Sequence, residues 1–132
     1  MKNTINNFDY SVTSQKKFDE VVSAIEKETD LAGFKVLHVH DIFETLKNKG
    51  LMIEQYKIIE ICNAKNAYSA IQAENKIGLL LPCKIIVFQK GNTTHISTMR
   101  PTIISQFFPN ANLGDLPQVI NEIIINIINK SK

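Results

Sequence analysis

The sequence predicts an α+β fold: a single two-layer domain in which a mostly antiparallel sheet packs against helices. Some segments alternate apolar and polar residues, which is typical of half-buried strands. Between them lie segments whose apolar residues repeat at helical spacing. A Gly91-Asn92 pair between two strand-like segments indicates an antiparallel hairpin. The length of 132 residues fits one domain, and no repeat or linker divides residues 1–132. The predicted element order is β-α-β-α-β-α-β-β-α.

The spacing of apolar residues changes near residue 13, which separates the predicted first strand from the predicted first helix. Alternation over residues 5–12 predicts a half-buried strand, and Thr13 and Ser14 are residue types that begin helices. The helix that follows runs to about Asp30, and Gly33 is its predicted stop. Its apolar residues recur at helical spacing: Phe18, Val21, Val22 and Ile25.

The next two strands flank a short helix. Residues 34–40 alternate again and predict the second strand. Asp41 is expected to cap a short helix, with Glu44 three residues on as in a capping box and Gly50 as its end. Residues 55–62 are apolar and β-branched and therefore predict the third strand.

The remaining elements are a helix, a hairpin and a final helix. Asn63 is expected to cap the third helix, and Pro82 to precede a strand over residues 83–89. Residues 93–99 pair back as a hairpin, and Asp115 caps the last helix after a loop. The predicted inner face of the third helix is Ala67, Ala70 and Ile71.

The last helix is apolar over a wider arc than packing against one sheet requires. The excess indicates either deep burial in the domain's own core or a contact between subunits, and both remain open here. The apolar residues are Val119, Ile120, Ile123, Ile124, Ile125, Ile127 and Ile128.

Charge and composition exclude several classes of function. The net charge is +2, and the fourteen lysines and the single arginine, Arg100, form no cluster, so nucleic acid is not an expected partner. Residues 1–10 carry no apolar stretch of signal-peptide type, and the most apolar segment, residues 119–128, is too short to span a membrane. We therefore expect a soluble cytoplasmic protein in which both cysteines are thiols.

Motifs around the two cysteines resemble the family known as domain of unknown function 302. The likeness covers most of residues 33–101. The motifs that carry it are Ile61-Cys62-Asn63, Ala67, the run Ile77-Gly78-Leu79-Leu80-Leu81-Pro82-Cys83, and Gly33-Phe34-Lys35-Val36-Leu37 followed by Asp41 and Thr45-Leu46-Lys47.

The resemblance has two departures and carries few functional implications. Ala64 stands where the family often has proline, and Arg100 stands where it often has aspartate, so no acidic role carries over to that position. The resemblance implies a compact α+β fold with the sheet on one side of the helices, usually as a homodimer. It implies no established activity.

The cysteines are the strongest candidates for a functional site. Cys62 ends a strand just before a helix N-terminus, where unpaired N–H groups favour an anion and therefore a thiolate. Cys83 opens the next strand, and with Asn63 and Pro82 the two cysteines form the predicted ligand-binding set. Three interpretations remain open: small buried side chains without chemistry, a thiol site for a soft metal, haem-like ligand or electrophile, and a redox pair that lacks Cys-x-x-Cys spacing.

The histidines give a second, weaker candidate. His38 and His40 point to the same face of their strand, and with Asp41 they are a candidate two-histidine, one-carboxylate metal site. The alternative is that both histidines are simply solvated, and His95 is expected to be exposed.

The function that we predict from the sequence is a ligand-binding module centred on the cysteines. The alternative is a structural homodimer or protein-interaction domain. An enzyme ranks last because no nucleophile–base pair, glycine-rich phosphate loop or Gly-x-Ser-x-Gly elbow is recognisable, and no cofactor is predicted.

Overall fold

The computed structural model describes residues 7–132 and consists of one sheet with helices. The strands are β1 (Asp9–Ser14), β2 (Lys35–Asp41), β3 (Tyr56–Cys62), β4 (Cys83–Lys90) and β5 (Thr93–Met99). The α-helices are α1 (Phe18–Leu31), α2 (Ile42–Lys47), α3 (Ala64–Ala73), α4 (Ile103–Phe107) and α5 (Leu116–Ser131), and a 3-10 helix spans Asn75–Leu79. The strand order is β1-β5-β4-β3-β2 and every neighbouring pair is antiparallel, which confirms the predicted α+β fold.

The first strand differs from its prediction. Residues 5 and 6 of the predicted strand lie outside the described residues, and β1 continues through Thr13 and Ser14 because its pairing with β5 reaches that far. The prediction that these two residues begin the helix was therefore wrong. The chain instead turns at Lys17, whose backbone N–H donates to Glu20 Oε1 at 3.0 Å.

Three predicted helix boundaries are confirmed, since each depends on local chemistry. Gly33 follows α1 with φ of +82°, a conformation that glycine adopts without a Cβ clash. Asp41 accepts from the backbone N–H of Glu44 at 3.0 Å and caps α2. Asn63 accepts from the backbone N–H of Asn66 at 3.0 Å and caps α3.

The main core lies between α1, α5 and one face of the sheet, which we call the core face. Most of the apolar arc of α5 is used here, since four of its isoleucines are buried, while Ile123 and Ile125 are half-buried and Val119 is 42% exposed. The core side chains are Phe18, Val21, Val22, Ile25, Phe34, Ile59, Ile61, Ile85, Val87, Ile96, Ile120, Ile124, Ile127 and Ile128.

The opposite face of the sheet, which we call the outer face, contributes no side chain to this core. Its central residues are half-buried, and three of them form a row across neighbouring strands. The rings of Tyr56 and Phe88 stack at 5.7 Å, and those of Phe88 and His95 at 4.8 Å between centroids. His95 is therefore half-buried, and the prediction that it is exposed was wrong because a cross-strand neighbour covers its ring. The central residues of the outer face are Tyr56, Ile58, Glu60, Ile86, Phe88, His95 and Ser97.

A second, smaller core closes one end of the sheet. Ala70 of α3, Ile77 of the 3-10 helix and Ile104 of α4 form it. The sequence predicted a loop where α4 lies and no element where the 3-10 helix lies. It also placed Ile71 on the inner face of α3, whereas Ile71 is 39% exposed. No helix within residues 7–132 is long and apolar enough to cross a membrane.

Candidate functional site: the cysteine end of the sheet

The two cysteines lie on neighbouring strands. Cys62 is the last residue of β3 and Cys83 is the first of β4. Ile61 is the register partner of Cys83, so Cys62 lies one residue beyond the pairing. Cys83 packs against the main core, whereas Cys62 is followed directly by the cap of α3.

A narrow cavity of about 30 Å³ lies at this end of the sheet. All four residues of the predicted ligand-binding set, Cys62, Asn63, Pro82 and Cys83, line it. Its volume is enough for a water-sized group and far below that of a typical small-molecule pocket. The other lining residues are nearly all apolar: Phe34, Ile61, Asn66, Ala67, Ala70, Leu81, Ile104, Leu113, Leu116, Pro117 and Ile120.

A larger cleft of about 240 Å³ lies on the other side of the same wall. Pro82, Cys83 and Ile104 border both spaces. Leu79, which is 83% exposed, stands at the cleft. The remaining lining residues are Leu80, Lys84, Met99 and Pro101. Cys83 therefore borders both the narrow cavity and the larger cleft.

The chemistry of Cys83 is that of a neutral thiol. Burial raises its pKa from 9.0 to about 11, and the nearby thiol of Cys62 adds to the rise, while Lys84 opposes it. At neutral pH the side chain is therefore protonated, which makes it a poor nucleophile and a poor metal ligand.

Asn63 holds the cavity wall in place. Besides capping α3, its Nδ2 donates to the carbonyl oxygen of Gly33 at 3.1 Å, which joins the start of α3 to the turn before β2. Both ends of its amide are thus occupied by backbone groups. The residue predicted as a ligand contact has a clear structural role.

The predicted histidine site is brought together only in part. The rings of His38 and His40 lie 4.3 Å apart between centroids, as their spacing on β2 requires. The carboxylate of Asp41 caps α2, and it is Glu60 of β3 whose Oε2 lies 3.4 Å from His40 Nε2. Within residues 7–132, no group of three His, Cys, Asp or Glu side chains is arranged to hold a metal ion.

Several residues of the cleft were missed by the sequence analysis. Met99 and Ile104 come from separate segments without a recognisable motif, and Leu79, although it belongs to the family-like run of residues 77–83, was not selected as a site residue. Lys84 adjoins Cys83, but a lone lysine in a strand carries no signal. Only the run that ends in Leu-Pro-Cys pointed to this region.

Comparison with known proteins gives a family without an assigned activity. No curated protein matches the chain. A solved structure, the crystal structure of uncharacterized conserved protein DUF302 from Bacillus stearothermophilus, is similar with a TM-score of 0.88 and 26% sequence identity, and the match covers 95% of this chain and 98% of that one. The model of the family described as domain of unknown function DUF302 matches residues 10–131. This chain therefore belongs to the DUF302 family.

Proposed function

We propose that this chain is a non-catalytic binding module for a small, uncharged and largely apolar molecule at the cysteine end of the sheet. One observation carries the proposal: all four predicted ligand-binding residues border one apolar cavity, and Cys83 also borders the larger cleft of about 240 Å³. Sites for small molecules are typically concave and mostly apolar, with few polar groups.

The size of both spaces argues against a haem-like ligand. Pockets for drug-sized molecules measure roughly 300–1,000 Å³. The cleft at Cys83 is smaller than that range, and the inner cavity of about 30 Å³ is smaller by an order of magnitude.

The ionisation of Cys83 argues against a soft metal or an electrophile as the ligand. Both react with the thiolate, and with a pKa of about 11 the thiolate is scarce at neutral pH. A protonated thiol beside two apolar spaces behaves instead as a small apolar side chain with a weak hydrogen-bond donor.

Indole, which is small, uncharged and mostly apolar, is a suitable probe. We expect a titration of the full chain followed by NMR to shift the resonances of Cys83, Met99 and Ile104. Leu79→Trp is expected to abolish these shifts, because a bulky ring at the exposed rim fills the cleft.

Leu31→Trp is the matched control, since Leu31 is another exposed leucine, 69% exposed, and lines a separate groove between α1 and α5. It should bind indole as the unmodified chain does. Absence of shifts at Cys83, or shifts that survive Leu79→Trp, would contradict the proposal.

A second candidate function is assembly as a homodimer through the outer face. The observation in its favour is a half-buried row of rings on the outer face, which the main core does not cover. The rings are those of Tyr56, Phe88 and His95. Apolar surface of this kind on a sheet marks an interaction site. The final helix, which first indicated a dimer, is mostly used in the core.

Sedimentation tests this candidate. A dimer at micromolar concentration that Ile86→Lys converts to a monomer, while Leu31→Lys does not, would support assembly through the outer face. A monomer for the unmodified chain at micromolar concentration would rule it out.

A further inference from the structure

The edge strand β2 places two imidazoles side by side on the outer face. His38 and His40 are two residues apart, and a register shift in the β2–β3 pairing occurs just before them, between Val36 and His38. Their rings meet edge to face, with centroids 4.3 Å apart and planes inclined at 72°. Neither ring belongs to the core, and His38 is exposed to solvent.

This spacing matches two imidazoles on one metal ion. With metal–nitrogen bonds of about 2.0–2.1 Å, cis ligands at a right angle place ring centroids about 4.5 Å apart, and tetrahedral ligands about 5.2 Å. The observed 4.3 Å is close to the right-angle value. Right angles between nitrogen ligands are typical of the tetragonal sites of Cu²⁺ and Ni²⁺.

Glu60 supplies the group that orients a ligating histidine. It is the register partner of His38 on β3, and its Oε2 lies 3.4 Å from His40 Nε2. Histidines bound to metals commonly offer their second ring nitrogen to a carboxylate, which fixes the ring and strengthens the ligand. Because Nε2 of His40 lies beside the Glu60 carboxylate, Nδ1 is the ring nitrogen left for the metal ion.

The charges around the pair leave Glu60 available for this role. Lys84 is its register partner on β4, but no described lysine or arginine lies within 4.0 Å of the Glu60 carboxylate. Asp41, the carboxylate next in sequence to His40, is held at the cap of α2. The protein thus offers two nitrogen ligands and one orienting carboxylate.

We propose that His38 and His40 bind one divalent transition-metal ion of the Cu²⁺ and Ni²⁺ class, with water completing its coordination and Glu60 positioning His40. The site is independent of the cleft at Cys83, and it requires no third ligand from the described residues.

Ni²⁺ alone is the probe, since Cu²⁺ would also oxidise the thiols. Calorimetric titration of the full chain is expected to show one Ni²⁺ per chain. His38→Gln and His40→Gln should each weaken binding by about tenfold or more, since each removes one of two protein ligands. Glu60→Ala should weaken it by a smaller factor, and Glu60→Gln, which keeps an oxygen acceptor, should restore part of the loss.

Two matched variants separate this site from the other candidates. His95→Gln removes the third histidine and Cys62→Ser removes one of the two candidate thiols, and both should leave Ni²⁺ affinity unchanged. No binding at millimolar Ni²⁺, or equal weakening by His95→Gln, would overturn the proposal. Unchanged affinity in both His38→Gln and His40→Gln would do the same.

Discussion

The two faces of the sheet differ more than their sequences do. Ile85 and Ile86 are consecutive on β4, as their register partners Ile59 and Ile58 are on β3. Ile85 and Ile59 are fully buried against α1 and α5, while Ile86 and Ile58 remain half-buried on the outer face. The comparison shows that an apolar side chain in a central strand marks a core position only when a second layer covers it.

The largest difference in stability that we expect is between variants of these two consecutive isoleucines, Ile85 and Ile86. Ile85→Ala should lower the free energy of unfolding by about 3–4 kcal/mol, because it leaves a cavity in the covered core. Ile86→Ala should lower it by only about 1 kcal/mol, because the side chain already contacts water. Denaturant unfolding of both variants measures the difference. Equal losses would show that the outer face is buried to the same depth, as in an assembled dimer.

The buried thiol of Cys83, on the core face, should make the folded state less stable as the pH becomes alkaline. The folded state holds the pKa of Cys83 at about 11 against 9.0 for the free thiol, so in the unfolded chain the proton leaves first as the pH rises. The associated stabilisation is present below pH 9.0 and is lost between 9.0 and about 11, an effect of about 3 kcal/mol.

Unfolding measured across this pH range checks the effect of Cys83. Cys83→Ala should be less stable than the unmodified chain at neutral pH, and the gap should narrow toward pH 11. Cys62→Ala serves as the control and should keep the alkaline loss. If the stability of the unmodified chain and that of Cys83→Ala fall equally between pH 9 and pH 11, the buried thiol is not the cause of the alkaline loss of stability.

A substitution at the end of the sheet tests a residue with two structural contacts, since Asn63 caps α3 and also donates a hydrogen bond to the turn before β2. Asn63→Ala should cost about 1–2 kcal/mol, because it removes both the cap of α3 and the bond to Gly33. Asp41→Ala, which removes a cap alone, should cost about 1 kcal/mol. Thermal or denaturant unfolding compares them, and a larger loss for Asp41→Ala would contradict the double role of Asn63.

The smallest effect belongs to the outer face. His95→Ala should lower the free energy of unfolding by about 0.5–1 kcal/mol, because it removes one ring from the stack with Phe88. His95→Phe keeps a ring and should restore most of the loss in the same unfolding measurement. A loss as large as that of Ile85→Ala would mean that the outer face carries a second core.

Much of the fold follows from local patterns. Gly33, Asp41 and Asn63 mark helix boundaries in the sequence and do so in the structure, because a positive φ or a capping oxygen acts within four residues. The start of α1 was predicted incorrectly because pairing of β1 with β5, a contact distant in sequence, extends the strand over Thr13 and Ser14.

The four residues of the predicted ligand-binding set meet at one end of the sheet, but the shape of the space they border was not predicted. Cys62, Asn63, Pro82 and Cys83 were identified from motifs, and they border one cavity. The cleft beyond them could not be predicted, because Leu79 and Met99 meet there only after the 3-10 helix and β5 take their places.

The sequence by itself determined the order of the five strands and of four of the five α-helices, three of the helix boundaries and the pair of histidines on one strand face. These depend on chemistry within a few residues along the chain. Only the tertiary structure decided which isoleucine of each pair is buried, that Cys83 borders two cavities, and that Glu60 lies beside His40 where Asp41 was expected. The physical reason is the same in each case: strand register and helix packing bring together residues whose separation in sequence carries no signal of their contact.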